Sequence, residues 1–395
     1  MVLPGAFGTG PHVVDVIFIN DASAGPGQHR NLVVTGVALN GVITPVDAVM
    51  TAQDQTATVT VSDGTATTPA PFATGTWHGF QYLGVNLSGA EFGLPSQEWG
   101  GVTIGTDYTF LTHAEIDDTA AHNLKTIRMP FSWERLQPIM NGVFDLTFLA
   151  QIDDVVHYAA TRGITVDLDP HNYGYGYGAL ICSAATHSSA FADLWSRLGT
   201  RCARTPNVPF GLMNEPHEYA PSEWVVPVNA TIRATGATQG ILVPGTHYTG
   251  GDSWLTSGNA DVFAANVIDP GHNFAFEIHQ YSDKDQSGSS TEIVSPTIAA
   301  DRLAAVTAWA ERTGNRLFLG EFGAGSDPAS IANMANMLGF MRQHSAVWQG
   351  GTEWGGGPWR GGYPFATDSV AGVPSLQMQT LHEFASTPAA VAGVQ

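Results

Sequence analysis

Residues 148–172, FLAQIDDVVHYAATRGITVDLDPHN, contain a helix-like pattern, a strand-like run and two polar residues in succession. Apolar residues at helical spacing over residues 148–163 predict an amphipathic helix. The apolar and β-branched residues at 164–168 predict a buried strand. His171 and Asn172 come shortly after that strand. Similar units recur along much of the chain, so this order of elements decides the fold.

Strand-like segments separated by helical patterns continue from about residue 82 to residue 384. A second clear helical pattern, residues 301–314, ends at Gly314, as helices commonly do. The alternation predicts an α/β fold, a (β/α)8 TIM barrel. A doubly wound sheet is the alternative, but the sequence lacks the glycine-rich phosphate turn of such sheets. The predicted strands are residues 82–86, 125–129, 164–168, 209–213, 240–243, 274–278, 316–320 and 347–353.

The first part of the chain has a different composition. Short β-rich runs at 12–19, 30–39 and 56–61 predict strands. The residues that follow, up to about 80, are rich in Thr, Ala, Pro and Gly, which is typical of a linker. The expected organisation is therefore a small all-β segment at 1–62, a linker at 63–80 and the barrel domain at 81–395.

The charge balance excludes two classes of function. The 395 residues include 15 Lys and Arg against 35 Asp and Glu, which gives a net charge of −20. Such a surface repels phosphate backbones and anionic lipid, so neither nucleic acid nor a membrane is an expected partner. Hydrophobic residues make up 43% of the chain, enough for a globular core. Nothing in the sequence indicates an obligate partner chain, and a monomer is expected.

Targeting segments and cysteines leave two questions open. No apolar run approaches the roughly 18 residues of a membrane span, and the first residues do not resemble a signal peptide. The protein is therefore either intracellular or secreted with its signal removed. Cys182 and Cys202 are too few for a four-ligand zinc site. The two cysteines either form one disulfide bond or remain two buried thiols.

Polar residues follow almost every predicted strand of the barrel. The C-terminal ends of the strands form the rim at which such barrels carry their active sites. A lone buried His or Arg is usually structural, but so many polar residues at one rim predict a functional site. These residues are Arg128, His171, Asn172, Asn214, Glu215, His279, Tyr281, Glu321 and Trp354.

Two of these residues, Glu215 and Glu321, follow the fourth and seventh predicted strands and should face each other across the barrel. Paired carboxylates suit glycoside hydrolysis: one protonates the leaving oxygen, and the other attacks the anomeric carbon or activates water. Carboxyl groups about 5 to 5.5 Å apart imply retention of configuration, and about 6.5 to 9.5 Å implies inversion. The sequence leaves that distance open.

Six motifs lie at the strand ends. They are GVNLSGAEFG (84–93), IRMPFSWERLQP (127–138), DLDPHNYGYG (167–176), FGLMNEPHE (210–218), HQYSDKDQSGSS (279–290) and LGEFG (319–323). These motifs resemble glycoside hydrolase family 5, and within it the fungal and bacterial endo-β-1,4-glucanases, from about residue 82 to residue 385. The resemblance implies a TIM barrel, retaining hydrolysis of internal β-1,4 bonds in cellulose or a related β-glucan, and no cofactor or metal.

The resemblance also implies roles for the rim residues. Glu215 would be the acid/base, and Glu321 the nucleophile that forms a covalent glycosyl intermediate. Arg128 and Tyr281 would contact that nucleophile.

The remaining rim residues are implied to contact the sugar or the carboxylates. Asn214 would bind the sugar 2-hydroxyl, a contact that strengthens in the transition state. His171 and His279 would form hydrogen bonds with the sugar and the catalytic carboxylates. Trp354 would form the floor of the subsite before the cleaved bond.

Aromatic and acidic residues in the rim loops are weaker candidates. Asp283 and Asp285 could bind a cation, although a solvated loop is the favoured interpretation. Six aromatic residues are candidates for outer subsites because sugar rings stack on aromatic faces, with ordinary loop packing as the alternative for part of them. They are Tyr173, Tyr175, Tyr177, Tyr248, Trp254 and Trp359.

The N-terminal segment has a second resemblance. Residues 16–42, VIFINDASAGPGQHRNLVVTGVALNGV, resemble part of a calcium-dependent xylan-binding module. The resemblance implies that Asp21 or its neighbours ligate calcium. A purely structural β segment is the alternative.

Three alternatives to the endoglucanase hypothesis stay open. The same catalytic residues would serve a mannanase, a xylanase or a mixed-linkage glucanase, because loop residues decide the sugar. A carbohydrate-binding protein without catalysis is disfavoured by the paired glutamates. A phosphoryl-transfer enzyme is disfavoured by the missing phosphate loop and by only two lysines, Lys125 and Lys284. For the leading hypothesis, with a polysaccharide as substrate, secretion is expected.

Overall fold

The structure is a computed structural model that describes residues 11–17, 32–39, 42–50, 56–62, 82–93, 102–202, 205, 207–236, 239–360, 362–369 and 372–386. The chain divides into two units, one that includes residues 1–69 and one that contains the barrel. No described helix is both long and apolar enough to cross a membrane.

The described residues of the N-terminal unit form β-strands. Pro11–Ile17 (β1) pairs antiparallel with Thr56–Ser62 (β4), and Leu32–Leu39 (β2) pairs antiparallel with Val42–Met50 (β3). Alternating β-branched residues favour this extended conformation. The strands agree with the predicted β-rich runs, except that β3 was not predicted individually, and Asp21 lies outside the described residues.

Within the described residues, eight parallel strands close into a barrel in which each strand pairs with the next along the chain, and the last pairs with the first. The (β/α)8 TIM barrel predicted from the sequence is confirmed. A short hairpin of Tyr175–Gly176 (β8) and Ala179–Leu180 (β9) follows the third barrel strand. The barrel strands are Tyr82–Leu87 (β5), Thr126–Phe131 (β6), Thr165–Pro170 (β7), Phe210–Gly211 (β10), Ile241–Pro244 (β11), Phe274–His279 (β12), Leu317–Phe322 (β13) and Trp348–Gly356 (β14).

The strands are buried on both faces, which is why they read as short apolar runs in the sequence. Every residue of β6 and of β13 is buried. The fourth barrel strand, β10, has only two residues, shorter than the predicted 209–213. Its neighbours β7 and β11 still pair with it, so the barrel closes.

Helices between the strands begin and end at local capping residues. Asp327 accepts from the backbone N–H groups of Ala329 and Ser330 and so caps the next helix. Gly314 ends another helix in the left-handed conformation, with φ of 70°. The helices are His113–Ala121 (α1), Trp133–Leu136 (α2), Leu146–Thr161 (α3), Ala185–Cys202 (α4), Pro221–Thr235 (α5), Asn259–Asn266 (α6), Ile298–Thr313 (α7), Pro328–Gln343 (α8) and Leu376–Ser386 (α9).

An aromatic cluster packs β12 against α6 and α7. The ring of Phe276 lies 5.5 Å from those of Trp254 and Trp309, and 6.1 Å from that of Phe263. All four side chains are buried. We call these four residues the aromatic cluster, and burial of this much apolar surface stabilises the barrel.

Candidate active site

Arg128, on β6, lies at the centre of the polar network and is fully buried. Its Nη1 donates to Glu321 Oε1 at 2.8 Å and to Asn86 Oδ1 at 3.0 Å. Its Nη2 donates to Asn214 Oδ1 at 3.0 Å. The planar guanidinium therefore fixes side chains from three other strand ends at once.

Glu321, at the end of β13, has a donor for each of its oxygens. Arg128 contacts Oε1, and the Tyr281 hydroxyl donates to Oε2 at 2.9 Å. Burial and the nearby Glu321 charge raise the pKa of Tyr281 well above its usual range, so the phenol keeps its proton and donates. Glu321 is thereby held as an oriented, charge-paired carboxylate.

Glu215 lies opposite Glu321 and is the more exposed of the two side chains, 18% against 6%. Its backbone has φ of +39°, an uncommon value for a residue with a side chain. His279 Nδ1 lies 2.8 Å from Glu215 Oε1 and 3.6 Å from Glu321 Oε2. One carboxylate oxygen from each glutamate lies within 4.8 Å of the other.

His171, Asn214 and Trp354 form the other side of the network. His171 Nδ1 contacts Asp169 Oδ2 at 2.8 Å, while its Nε2 lies 3.2 Å from Asn214 Nδ2. This geometry gives Nδ1 the proton in a neutral ring and leaves Nε2 as an acceptor. The Trp354 ring stacks on His171, with centroids 5.2 Å apart and planes 13° from parallel. The structure thus joins eight of the nine rim residues in one connected set of contacts. The ninth, Asn172, instead contacts the Trp133 N–H and the Glu134 carboxylate.

Three buried carboxylates around Arg128 were not predicted as site residues. Asp169 lies 3.1 Å from Arg128 Nη2, Glu277 lies 3.0 Å from its Nε, and Asp167 lies 3.8 Å from its Nε. Together with Glu321, and against the effect of burial, they raise the pKa of Arg128 well above its usual range. The carboxylates of Asp169, Glu277 and Glu321 lie closest to this guanidinium and keep it positively charged beneath the rim.

The charges of this group are unequal. Burial and the neighbouring Glu277 raise the pKa of Asp167 well above its usual range, which favours its protonated form. For Glu277, contact with Arg128 and His279 outweighs burial and lowers the pKa, so this carboxylate is ionised. Gly320 gives Glu277 its space, because a Cβ at position 320 would overlap the Glu277 carboxylate.

The family model for cellulase, glycosyl hydrolase family 5, matches residues 84–355. The chain belongs to glycosyl hydrolase family 5. Endoglucanase 3 of Humicola insolens is 34% identical over 300 residues, which cover 74% of each chain. The solved structure of an endo-beta-1,4-glucanase from Xanthomonas axonopodis pv. citri is 39% identical with a TM-score of 0.73, covering 77% of this chain and 98% of that one. Endoglucanase Cel5A of Pseudomonas stutzeri, solved in complex with cellobiose, is 29% identical with a TM-score of 0.70, covering 79% and 96%.

Family 5 membership confirms the resemblance seen at the strand ends and makes the chain a glycoside hydrolase. The matched residues include all eight predicted site residues. The match begins at residue 84, so the resemblance of residues 16–42 to a xylan-binding module finds no support in it.

Aromatic side chains on the family 5 barrel divide into rim and core. Trp359 is 42% exposed and stacks on Phe92, with ring centroids 6.3 Å apart. Tyr248 is 53% exposed and stacks on His217. Trp254 is fully buried in the aromatic cluster, so its prediction as a subsite residue was wrong. A tryptophan in a loop carries no sequence signal that separates packing from sugar binding.

The three tyrosines that follow β7 are tied to neighbouring groups. The Tyr173 hydroxyl lies 3.2 Å from His171 Nε2, and so lies beside the catalytic network. The Tyr175 hydroxyl donates to Glu218 Oε2 at 2.6 Å, and that of Tyr177 to the carbonyl oxygen of Gln137. Tyr173 is the member of this group placed nearest to the reacting groups.

The acidic loop and the cysteines also have plain structural accounts. Asp283 is buried and accepts from Ser287 Oγ and from the N–H groups of residues 288–290. Its carboxylate therefore closes its own loop and is not the solvated group that was expected. No disulfide joins Cys182 to Cys202. Burial raises the pKa of the Cys182 thiol to about 12, so it stays protonated.

Proposed function

We propose that this family 5 enzyme is a retaining endo-β-1,4-glucanase, with Glu321 as nucleophile and Glu215 as acid/base. The observation that carries the proposal is the carboxylate separation, with one oxygen from each glutamate within 4.8 Å. Retaining glycosidases have carboxyl groups about 5 to 5.5 Å apart, whereas inverting enzymes need room for a water between them. The short separation favours direct attack by a carboxylate.

The two glutamates are held differently, and this difference supports the roles proposed for them. Both oxygens of Glu321 receive donors, from Arg128 and Tyr281, which suits a group that must be ionised when it attacks. Glu215 is more exposed and has contact with His279 through one oxygen. A group that exchanges protons with the leaving oxygen and with water needs this access.

The proposed reaction has two displacements. The Glu321 carboxylate attacks the anomeric carbon, the glycosidic C–O bond breaks, and Glu215 gives its proton to the leaving oxygen. Water then attacks the anomeric carbon, Glu215 takes a proton from it, and the bond to Glu321 breaks. The product has the configuration of the substrate, and both glutamates return to their starting states.

The other site residues act on the sugar and its charge. Asn214, fixed by Arg128 and His171, has its amide beside the nucleophile, where it would meet the sugar 2-hydroxyl. Trp354 stacks on His171 and has the Arg360 guanidinium 4.7 Å from its ring centroid. Its ring is partly exposed, and we propose it as the floor of the subsite before the cleaved bond. His279 lies between the two carboxylates and opposes their repulsion.

The substrate class is supported by the relatives. Those compared above are named endoglucanases, and one was solved with cellobiose. Exposed aromatic faces at Tyr248 and Trp359 suit a long glycan that extends beyond the cleaved bond. We therefore expect activity on soluble or amorphous β-1,4-glucan. A sister specificity for mannan, xylan or mixed-linkage glucan would use the same catalytic residues.

Two measurements test this proposal. Proton NMR of the first-formed reducing ends should show the β-anomer, and initial α-anomer would contradict retention. Release of reducing sugar from carboxymethylcellulose should exceed release from mannan and xylan, with barley β-glucan as the mixed-linkage comparison. Retardation in affinity gels without bond cleavage would instead support a non-catalytic carbohydrate-binding protein.

We further propose that the enzyme acts outside the cell, because an insoluble polymer cannot reach an intracellular enzyme. Residues 1–62 are proposed as a separate module joined by the linker at 63–80. Removal of residues 1–80 should leave hydrolysis of soluble substrate unchanged. If residues 16–42 bind xylan, the truncated protein should also lose calcium-dependent retardation in xylan gels.

A further inference from the structure

Glu277 is a fully buried, ionised carboxylate with contacts to partners of both catalytic glutamates. Its Oε1 lies 3.0 Å from Arg128 Nε and 3.3 Å from His279 Nε2. Arg128 holds Glu321, and His279 holds Glu215. One oxygen atom of Glu277 therefore contacts both the partner of Glu321, which is Arg128, and the partner of Glu215, which is His279.

The barrel is built to contain this carboxylate. Position 320 on the neighbouring strand is glycine, and any side chain there would overlap Glu277. The second oxygen, Oε2, is buried with no hydrogen-bond partner among the described residues. Burying a charge with one oxygen unsatisfied costs stability, and such a cost is often associated with a functional requirement.

The two ring nitrogens of His279 both face carboxylate oxygens. Nε2 faces Glu277, and Nδ1 faces Glu215, with Glu321 also within 3.6 Å. A neutral imidazole has one donor and one acceptor, so it cannot donate to both sides once Glu215 has given up its proton, whereas an imidazolium has two donors. The carboxylates Glu321, Glu215 and Glu277 together outweigh burial and raise the pKa of His279 to about 10.

We propose that Glu277 is a positioning residue that holds His279 as an imidazolium and fixes Arg128, and so joins the acid/base to the nucleophile. The proposal rests on the roles assigned to Glu215 and Glu321 above. The imidazolium places a positive charge between the two catalytic carboxylates. Without Glu277, Arg128 would keep Asp169 and Glu321 as partners, but His279 would lose the group on its Nε2 side.

The test is the protonation state of His279 in Glu277→Gln, read by NMR of the 15N-labelled imidazole at pH 8 and assigned with His279→Asn. The wild-type ring should be an imidazolium, and the ring in Glu277→Gln should be neutral. The kcat of the Glu277→Gln variant should fall by about tenfold or more, and its KM should change less than about threefold, because a charge-assisted contact in the catalytic network is lost. Glu277→Asp keeps the charge and should keep the imidazolium.

Glu353→Gln is the matched control. Glu353 is also buried in a barrel strand, and burial raises its pKa well above its usual range, so the substitution replaces one neutral group by another. This variant should show the wild-type imidazolium. A Glu277→Gln variant that keeps its imidazolium at pH 8 would overturn the proposal, whatever its activity.

If Glu277→Gln does not fold, the wild-type protein and the Glu277→Asp variant test the proposal. A neutral His279 in the wild type, or in Glu277→Asp, would overturn the proposal, and an imidazolium in both would support it. The NMR measurement needs no turnover. Failure of the endoglucanase assignment on polysaccharides is therefore distinguishable from failure of the role given to Glu277.

Discussion

The two faces of β12 are both buried but have different partners. Phe276 points to the aromatic cluster, where it packs against the rings of Trp254, Phe263 and Trp309. Glu277 and His279 point the other way, to Arg128 and the catalytic glutamates. Since side chains alternate along a strand, the six residues of β12 supply some side chains to the core and the others to the active site.

The difference shows how the molecule separates stability from activity. The apolar face gains free energy by leaving water, and its residues can be judged by the space they fill. The charged face gains little or loses, because desolvation offsets the attraction between its charges. Substitutions on the apolar face should therefore lower stability, and those in the charged network should lower activity.

The largest effect is expected for Glu321→Gln in the charged network. Turnover should fall by a factor on the order of 10⁴ or more, because an amide does not replace the attacking carboxylate. The melting temperature should stay equal or rise, since one buried negative charge is removed. Reducing-sugar assays and calorimetry measure the two quantities, with exposed Glu383→Gln as the control. Residual activity above about 1% would contradict the nucleophile assignment.

The opposite pattern is expected for Phe276→Ala on the apolar face. The free energy of unfolding should fall by about 3–5 kcal/mol, because a large buried ring is replaced by a cavity. Urea denaturation measures this loss. The kcat per folded molecule should change less than about threefold, because Phe276 lies on the opposite face of β12 from Glu277 and His279. A large loss of kcat with unchanged stability would contradict the division of β12 into a face that stabilises the fold and a face that serves activity.

A smaller effect on activity is expected for Tyr281→Phe, which removes one donor from Glu321 and leaves Arg128 in place. Hydrogen bonds to charged groups contribute about 1.5–3 kcal/mol, so kcat should fall about 10- to 100-fold. Tyr363→Phe, in the same aromatic neighbourhood, is the control and should retain most of the activity. An unchanged kcat in Tyr281→Phe would show that Arg128 alone orients the nucleophile.

The last expected effect is a pH dependence of stability from the charged face. The pKa of His279, about 10, lies above that of an unfolded histidine, about 6.5. Between these values the folded state binds more protons than the unfolded state, so stability falls as pH rises. Urea denaturation from pH 6.5 to 10 should show a steeper decline for wild type than for His279→Gln. Equal slopes would mean that His279 is not an imidazolium in the folded protein.

Most of the barrel could be predicted because its strands are short, apolar and separated by helical patterns. Residues 82–86 and 274–278 were predicted as strands, and the structure has Tyr82–Leu87 and Phe274–His279. The fourth strand is shorter than the predicted 209–213, although Leu212 and Met213 are apolar and buried and the Leu212 N–H still donates to the carbonyl of Leu242 on β11. Local composition indicates burial, but pairing depends on the neighbouring strands.

The rim residues could be predicted because they follow strands, whereas the charged residues beneath them could not. Glu277 lies within a predicted strand, and the strand pattern alone does not mark it as a site residue. A glutamate in an otherwise apolar strand, two residues before His279 and so on the same face, was the available signal. Asp169 had the same relation to His171. The loop residue Trp254 gave the converse error, since its burial depends on helices distant in sequence.

Gly320 has a consequence for protein engineering. The dipeptide Gly320–Glu321 looks like a local signature of the nucleophile, yet the glycine is required by Glu277 on a different strand. A combinatorial library that varies residues 318–322 alone should recover glycine at position 320. A larger side chain at position 320 should be tolerated when a smaller side chain replaces Glu277 in the same variant. Positions 277 and 320, which are 43 residues apart (320 minus 277), should therefore be varied together.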